Sequence, residues 1–328
     1  TGRRAIPNYN GVRIQSNSAR NQIGGDTQSL RNIISGNAQS GVLISQSNEN
    51  QIVGNYIGTG IDGLTALANQ FSGITVISGS SRNSIGGTTA TAGTALGNVI
   101  SGNFQNGIVM RGAGSENKIL GNIIGLNALG SARIANRFQG IELESTHAAS
   151  IGGTQAGSRN IVSGNFGAFG GIALRGANFN LVQGNYVGTD INGTSRFGNS
   201  FDGIRIEGGS FNVVGGESPE AGNLISGNVR NGIFIEDAIN SFGLNAQATG
   251  NRVEGNRIGI DVNGLPMGNS SSGVRISAGA DGSVVTSNTI AFSGSDGITA
   301  SGQNTVKNSF SQNRIYSNSG LGIDLNAD

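Results

Sequence analysis

One phrase recurs along almost the whole chain: a glycine, an aliphatic residue, any residue, and a second aliphatic residue. Aliphatic side chains two positions apart lie on the same face of a β-strand. The repeat therefore predicts a series of stacked structural units. Each unit contributes one short strand and buries the aliphatic face of that strand against the neighbouring units. The phrase begins, at intervals of 24 to 41 residues, at Gly11, Gly41, Gly73, Gly107, Gly140, Gly171, Gly203, Gly232, Gly273, Gly297 and Gly322.

The segments between these phrases contain further short alternating runs, broken by glycine and asparagine. Runs of three to five residues are too short for independent hairpins, and no helical segment is available to cross between strands. We therefore predict an all-β protein, a single-stranded right-handed parallel β-helix (a solenoid) of about eleven coils. The right hand follows from the preference of parallel crossovers, and coils about 4.8 Å apart would form a rod about 50 Å long.

Asparagine recurs at the same place in the N-x-I-S-G-N phrase of alternate coils, at Asn37, Asn103, Asn165 and Asn228. Stacked amide side chains can hydrogen-bond from one layer to the next. The sequence therefore predicts a structural asparagine ladder along one corner of the solenoid.

Composition narrows the class of protein. Glycine makes up 58 of 328 residues, there is no cysteine, and the net charge is +1. A nearly neutral chain has no field to attract nucleic acid, and no apolar run approaches the ~20 residues of a membrane span. We expect one domain, residues 1–328, that is part of a longer exported protein found outside a bacterial cell or on its surface. We expect no cofactor.

The phrases N-x-I-x-G-N and G-I-x-I, together with the sequence IYSNSGLGIDLN at residues 315–326, resemble the parallel β-helix repeats of the pectin-lyase-like superfamily. The resemblance covers essentially the whole chain and is strongest to bacterial surface and secreted proteins. It implies the fold and a strand face that commonly bears a sugar-binding cleft. It does not choose among lyases, hydrolases, epimerases, tailspikes and adhesins, and the paired-aspartate and Gly-His-Gly phrases of polygalacturonase-like hydrolases do not appear.

Charged residues cluster at outward positions in the middle of the predicted rod. Carboxylates one or two coils apart would span the ~5–9.5 Å used by glycosidases, and an arginine beside them would suit a lyase that removes the proton α to a uronate carboxylate. Alternatively, the charges form a salt-bridge ladder from Arg111 to Glu144, Arg175 and Glu207. The candidate catalytic residues are Glu142, Glu144, Arg175, Arg205, Glu207, Glu236 and Asp237.

Other features have both a structural and a functional interpretation. His147 follows one of the charged strands and is a candidate general base. Asp-x-Asn-Gly and related phrases near Asp62, Asn127, Asp190 and Asp261 are typical of turns, and they also resemble half of a calcium loop. A longer segment at residues 239–250 could form one wall of a groove beside Glu236 and Asp237. An inward aromatic stack is predicted at one corner from Phe71, Phe138, Phe169 and Phe201.

Three functions remain open. The leading hypothesis is an extracellular or cell-surface structural or adhesive rod that contacts polysaccharides or other glycans and carries flanking domains. The alternative is a polysaccharide lyase or glycoside hydrolase that uses the charged stripe. The third is a subunit that self-associates end to end, because a solenoid terminus exposes unpaired strand edges.

Overall fold

A computed structural model describes residues 4–239 and 245–325, and nearly all of its regular structure is three long parallel sheets. Sheet 1 contains the repeated glycine phrases. Its strands are Val12–Ile14, Val42–Ser45, Ile74–Ile77, Ile108–Arg111, Ile141–Glu144, Ile172–Arg175, Ile204–Glu207, Ile233–Glu236, Val274–Ser277, Ile298–Ser301 and Ile323–Asp324. We number the coils 1 to 11 by these strands.

Sheets 2 and 3 contain the shorter runs between those phrases. Sheet 2 consists of Gln22–Gly24, Gln51–Val53, Ser84–Gly86, Lys118–Leu120, Ser150–Gly152, Leu181–Gln183, Val213–Gly215, Arg252–Glu254, Val284–Thr286 and Ser309–Ser311. Sheet 3 consists of Ile33–Ile34, Tyr56–Ile57, Val99–Ile100, Ile123–Ile124, Ile161–Val162, Tyr186–Val187, Leu224–Ile225, Arg257–Ile258, Thr289–Ala291 and Arg314–Tyr316. A 3-10 turn at Gln28–Leu30 and an antiparallel pair, Ala238–Ile239 with Asn245–Ala246, complete the regular structure.

Every strand of the three sheets pairs in parallel with the corresponding strand one coil away. Equivalent residues face each other, as where Ile141 pairs with Ile172 and Ile172 pairs with Ile204. The predicted right-handed parallel β-helix of about eleven coils is therefore confirmed. Within the described ranges, no helix is long and apolar enough to cross a bilayer.

The aliphatic residues of the glycine phrase form the core. Met110, Leu143, Leu174 and Ile206 are fully buried, and one continuous apolar cluster extends from Ile14 to Ile298. Because these side chains stack directly on their counterparts, each coil buries its aliphatic face only when its neighbours are present.

The asparagine ladder at the corner between sheets 3 and 1 is confirmed. Asn165 is completely buried; its amide nitrogen donates to Asn199 Oδ1 at 3.1 Å, and its own Oδ1 accepts from the Asn136 amide at 3.0 Å. Similar ladders follow the other two corners, with pairs such as Asn83–Asn117 and Asn122–Asn160. Nearly the whole length of the rod is thus fixed by polar side chains inside its corners.

The predicted inward aromatic stack is wrong. Phe71 and Phe138 are 42% and 49% exposed, and Phe169 and Phe201 are half-buried on the outside of the corner. The buried asparagine ladder occupies the inside of this corner, so the residues that follow each asparagine are turned towards solvent.

Alternate coils carry a short hairpin loop after sheet 3, at residues 59–66, 126–133, 189–196 and 260–266. The predicted turn chemistry is present: Asp190 Oδ1 accepts from Thr194 N at 2.8 Å, and Asp261 Oδ1 accepts from Leu265 N at 2.7 Å. Successive loops also contact each other two coils apart, because Ile191 N donates to Gly130 O.

Candidate functional site

The candidate site is the outer surface of sheet 1 on coils 4 to 9, which we call the charged face. Its side chains occupy the alternate strand positions that point away from the buried aliphatic residues. The sheet register places Glu144, Arg175, Glu207 and Glu236 opposite one another on four consecutive coils. The structure therefore brings together six of the seven predicted catalytic residues, all except Asp237.

The first half of the charged face is a salt-bridge ladder, but its pairing differs from the prediction. Arg111 pairs with Glu144, and Arg175 Nε lies 2.8 Å from Glu207 Oε2, both as predicted. The predicted Glu144–Arg175 pair is wrong, because Arg175 Nη1 instead lies 3.2 Å from Glu142 Oε1. Glu142 is almost completely covered and also accepts a hydrogen bond from the Asn106 amide at 2.8 Å.

Arg205 is the centre of the second half. Its guanidinium group donates to Glu236 and lies 3.7 Å from Asp202 Oδ2. Only 15% of the Arg205 side chain is exposed, and the Asp202 side chain is not exposed at all. Asp202 belongs to the turn before the strand, so the alternation of the strand residues gave no reason to select it.

Two phenylalanines separate the arginines of the charged face. Phe169 lies between Arg175 and Arg205, whose guanidinium carbons are 4.5 and 4.9 Å from the ring centroid. Phe234 lies between Arg205 and Arg275, at 4.9 and 5.4 Å. We call these five residues the Arg–Phe stack. Cation–π contacts of this kind hold each guanidinium group against a ring.

Two buried polar atoms of the charged face have no hydrogen-bond partner: Asp202 Oδ2 and Arg275 Nε. Arg275 also has no carboxylate within ion-pair distance in the described part of the chain. Unsatisfied buried polar atoms are rare in folded proteins, and their presence is typical of strained or functional positions. The sequence pattern did not predict either residue as part of the site. The outward position of Arg275 in its G-V-R-I phrase could have indicated that it belongs to the charged face.

Burial changes the acidity of this part of the face. It raises the pKa of Asp202, and the hydrogen bonds from Asn231 and the charge of Arg205 only partly oppose it. Burial also raises the pKa of Glu236, with Arg205 again acting in the opposite direction. Perturbed carboxyl groups of this kind are concentrated at functional sites, although structural ion pairs produce them too.

The remaining predicted residues have structural contacts. Asp237 Oδ1 accepts from Ala248 N at 2.8 Å and so connects the end of its strand to the last part of the longer segment at residues 239–250. His147 Nδ1 accepts from Asn178 N at 3.0 Å, in the turn after its strand. The predicted groove wall at residues 239–250 includes residues 240–244, which lie outside the described residues. Within the described ranges, no three His, Cys, Asp or Glu side chains are grouped to hold a metal ion.

The raised pKa of Asp202 predicts a pH-dependent stability. As pH rises above the ordinary aspartate range, the unfolded chain loses this proton before the folded protein does, which favours unfolding. We expect the Asp202→Asn variant to melt at a higher temperature than the wild type at about pH 7, and the difference to disappear below about pH 3.5. Thermal melts across this pH range check the prediction, with the exposed-residue variant Glu116→Gln as control. A lower melting temperature at neutral pH would contradict it.

Comparisons with solved structures find parallel β-helix proteins at low identity. The periplasmic alginate epimerase AlgG has 13% identity and a TM-score of 0.47, covering 87% of this chain and 70% of its own. The A-module of the Azotobacter vinelandii mannuronan C-5 epimerase AlgE4 has 11% identity and a TM-score of 0.36, covering 90% and 78%. The Streptococcus pneumoniae surface adhesin PfbA has 14% identity and a TM-score of 0.32, covering 86% and 64%. No protein-family model and no curated protein matches the sequence. At these identities the likeness concerns the fold alone.

Proposed function

We propose that this protein is an extracellular or cell-surface rod whose charged face binds glycans without cleaving them. The observation that carries the proposal is the Arg–Phe stack. It holds guanidinium donors in a fixed row, with the Phe169 and Phe234 rings between them, and it ends in Arg275, whose charge has no carboxylate partner among the described residues. Such a row suits a sugar chain, whose hydroxyl or carboxylate oxygens accept hydrogen bonds from guanidinium groups.

The interior supports the structural part of the proposal. Asparagine ladders follow all three corners, and they link each coil to the next independently of the sheets. A solenoid fixed in this way gains stability from every neighbouring pair of coils. It therefore suits a rigid spacer that holds a binding surface away from its attachment point.

The neutralised charges favour binding over catalysis. Glu142, Glu144, Glu207 and Glu236 each form an ion pair with an arginine of the same face. The salt-bridge ladder thus gives most charges of this face a structural role, and no catalytic step is needed to explain them.

A polysaccharide lyase or glycoside hydrolase is the second candidate. The observation that favours it is the pair Asp202 and Glu236: burial raises both pKa values, and Arg205 lies beside both carboxylates. Neighbouring carboxyl groups with raised pKa values can serve as general acid and general base. This candidate makes Asp202 and Glu236 the residues to test.

Binding and turnover can be measured on one panel of neutral and acidic polysaccharides. We expect the wild type to bind at least one of them and to release neither reducing ends nor unsaturated uronates. Arg275→Gln should weaken binding about fivefold or more, since it removes an unpaired donor. Arg13→Gln is the matched control, because Arg13 has the equivalent outward position in coil 1; it should change affinity less than about twofold.

Two results would overturn the proposal. Absence of binding across the panel would contradict the proposed function. Equal losses of affinity in Arg275→Gln and Arg13→Gln would show that the Arg–Phe stack is not the binding site. Product release that disappears in Asp202→Asn or Glu236→Gln would establish the enzyme instead.

A further inference from the structure

A second row of arginines lies beside the charged face, at the corner between sheets 3 and 1. Arg133 and Arg137 belong to coil 4, Arg196 to coil 6 and Arg230 to coil 7. Successive coils are about 4.8 Å apart, so these side chains follow the rod axis. We call them the corner stripe.

The corner stripe is not neutralised. None of its four arginines forms an ion pair within the described residues, whereas Arg111, Arg175 and Arg205 of the charged face all do. Arg230 acts on the buried carboxyl group of Asp202, where its charge opposes the rise in pKa that burial causes. Arg133, Arg137 and Arg196 therefore leave a local excess of positive charge on a chain whose net charge is only +1.

These guanidinium groups are held in place by rings and by backbone oxygens. Arg137 lies 4.3 Å above the Phe104 ring and Arg133 lies 5.5 Å above the Phe166 ring. Arg133 Nη2 also donates to Gly198 O at 2.8 Å, and Arg196 Nη2 donates to Gly268 O at 2.8 Å. Positioning of this kind reduces the side-chain entropy lost when a ligand binds.

A groove of about 450 Å³ adjoins the stripe between the hairpin loops of coils 2 and 4. Its walls combine exposed apolar groups, Leu64 and Phe104, with Arg133 and Arg137, and no carboxylate lines it. Phe104 and Phe166 are 42% and 50% exposed, so their rings are accessible beside the guanidinium groups. An apolar surface edged by unpaired cations is complementary to a ligand that is both anionic and partly apolar.

We propose that the corner stripe is a second binding surface and that its ligand is a linear acidic polysaccharide lying along the rod. Each sugar of such a chain offers an apolar ring face and, at intervals, a carboxylate or sulfate that a guanidinium fork can bind. A nucleic acid, which carries a phosphate at every nucleotide, fits less well, since the protein has almost no net charge. The proposal does not require the charged face to bind anything.

The test compares two variants that each lose three positive charges. One is Arg133→Gln/Arg137→Gln/Arg196→Gln; the other, a control at a different corner and on sheet 2, is Arg20→Gln/Arg82→Gln/Lys118→Gln. Affinity for polyglucuronate and for dextran sulfate is measured at about 50 mM and about 150 mM salt, with neutral dextran as the uncharged probe. We expect the stripe variant to bind both acidic chains about tenfold more weakly and with a smaller salt dependence. The control should stay within about twofold of the wild type.

The single variant Arg137→Gln guards the test against misfolding, because Arg137 donates no side-chain hydrogen bond to the described residues and lies above the exposed ring of Phe104. It should melt like the wild type and still bind more weakly. The proposal fails if the wild type binds neither acidic chain at about 50 mM salt, or if both triple variants lose affinity equally. It also fails if single-stranded DNA competes as well as the acidic chains. If Arg275→Gln loses binding and the stripe variant does not, the proposal for the corner stripe is wrong and the proposed function of the charged face stands.

Discussion

We expect the Arg205→Met variant to lose about 3–5 kcal/mol of unfolding free energy at neutral pH. Arg205 is 15% exposed and is the ion-pair partner of both Asp202 and Glu236. Its removal leaves two covered carboxyl groups without a counter-charge, and burial already raises the pKa of each. The loss should become smaller as pH falls, because both groups can then take up a proton. Equilibrium denaturation at about pH 7 and about pH 4 measures it.

A matched set of variants separates lost charge pairing from lost packing. Arg205→Met combined with Asp202→Asn and Glu236→Gln should recover most of the stability, because no buried charge then remains unpaired. Arg111→Met removes another arginine of the charged face, which is 62% exposed, and should cost no more than about 1 kcal/mol. If the triple variant is no more stable than Arg205→Met, the packing of Arg205 on Phe169 and Phe234 is its main contribution.

The Asn165→Ala variant should lose about 3 kcal/mol, at about 1 kcal/mol for each of the two amide N–H groups and the one carbonyl oxygen that are removed from hydrogen bonds. The Asn165 amide nitrogen donates to Ile124 O, Ser163 O and Asn199 Oδ1 at 3.1–3.2 Å, and its oxygen accepts from Asn136. All of these groups lie inside a corner that water does not reach, so no solvent molecule replaces the lost partner. Denaturant unfolding at constant pH measures the change.

The control for this prediction is a terminal rung of the same ladder. Asn318 is half-buried; it accepts from Ser293 N at 2.9 Å and donates to Ile290 O at 3.4 Å. Asn318→Ala should therefore cost less than half as much as Asn165→Ala. Equal costs at the two positions would show that burial of the rung does not determine its contribution.

Most of the fold could be predicted because its determinants are local and repeated. The aliphatic pair of each glycine phrase, such as Ile141 and Leu143, lies on one strand face by backbone geometry alone. Asparagines at a constant position, such as Asn103 and Asn165, must lie in the same corner once the strands are in register. These inferences needed no knowledge of neighbouring side chains, and the structure confirms them.

The candidate site could be predicted only in outline. The outward positions of Glu142, Arg175 and Glu207 follow from the strand alternation, but Asp202 precedes its strand and has no such pattern. The constant register of Phe138 and Phe169 indicated that they share a corner. It could not tell whether the ring or the asparagine fills the inside.

The sequence by itself determined the winding of the chain, the stacking register and the corners that contain asparagine. Short, branched or amide side chains reach only their own counterpart in the next coil, so periodicity specifies their contacts. Only the tertiary structure decided that Arg175 binds Glu142 instead of Glu144, that Arg205 pairs with two carboxylates, and that Arg275 has no carboxylate partner among the described residues. The physical reason is the length of the arginine side chain. When extended, it reaches farther than the ~4.8 Å between coils, so its guanidinium group can pair with carboxylates on more than one coil.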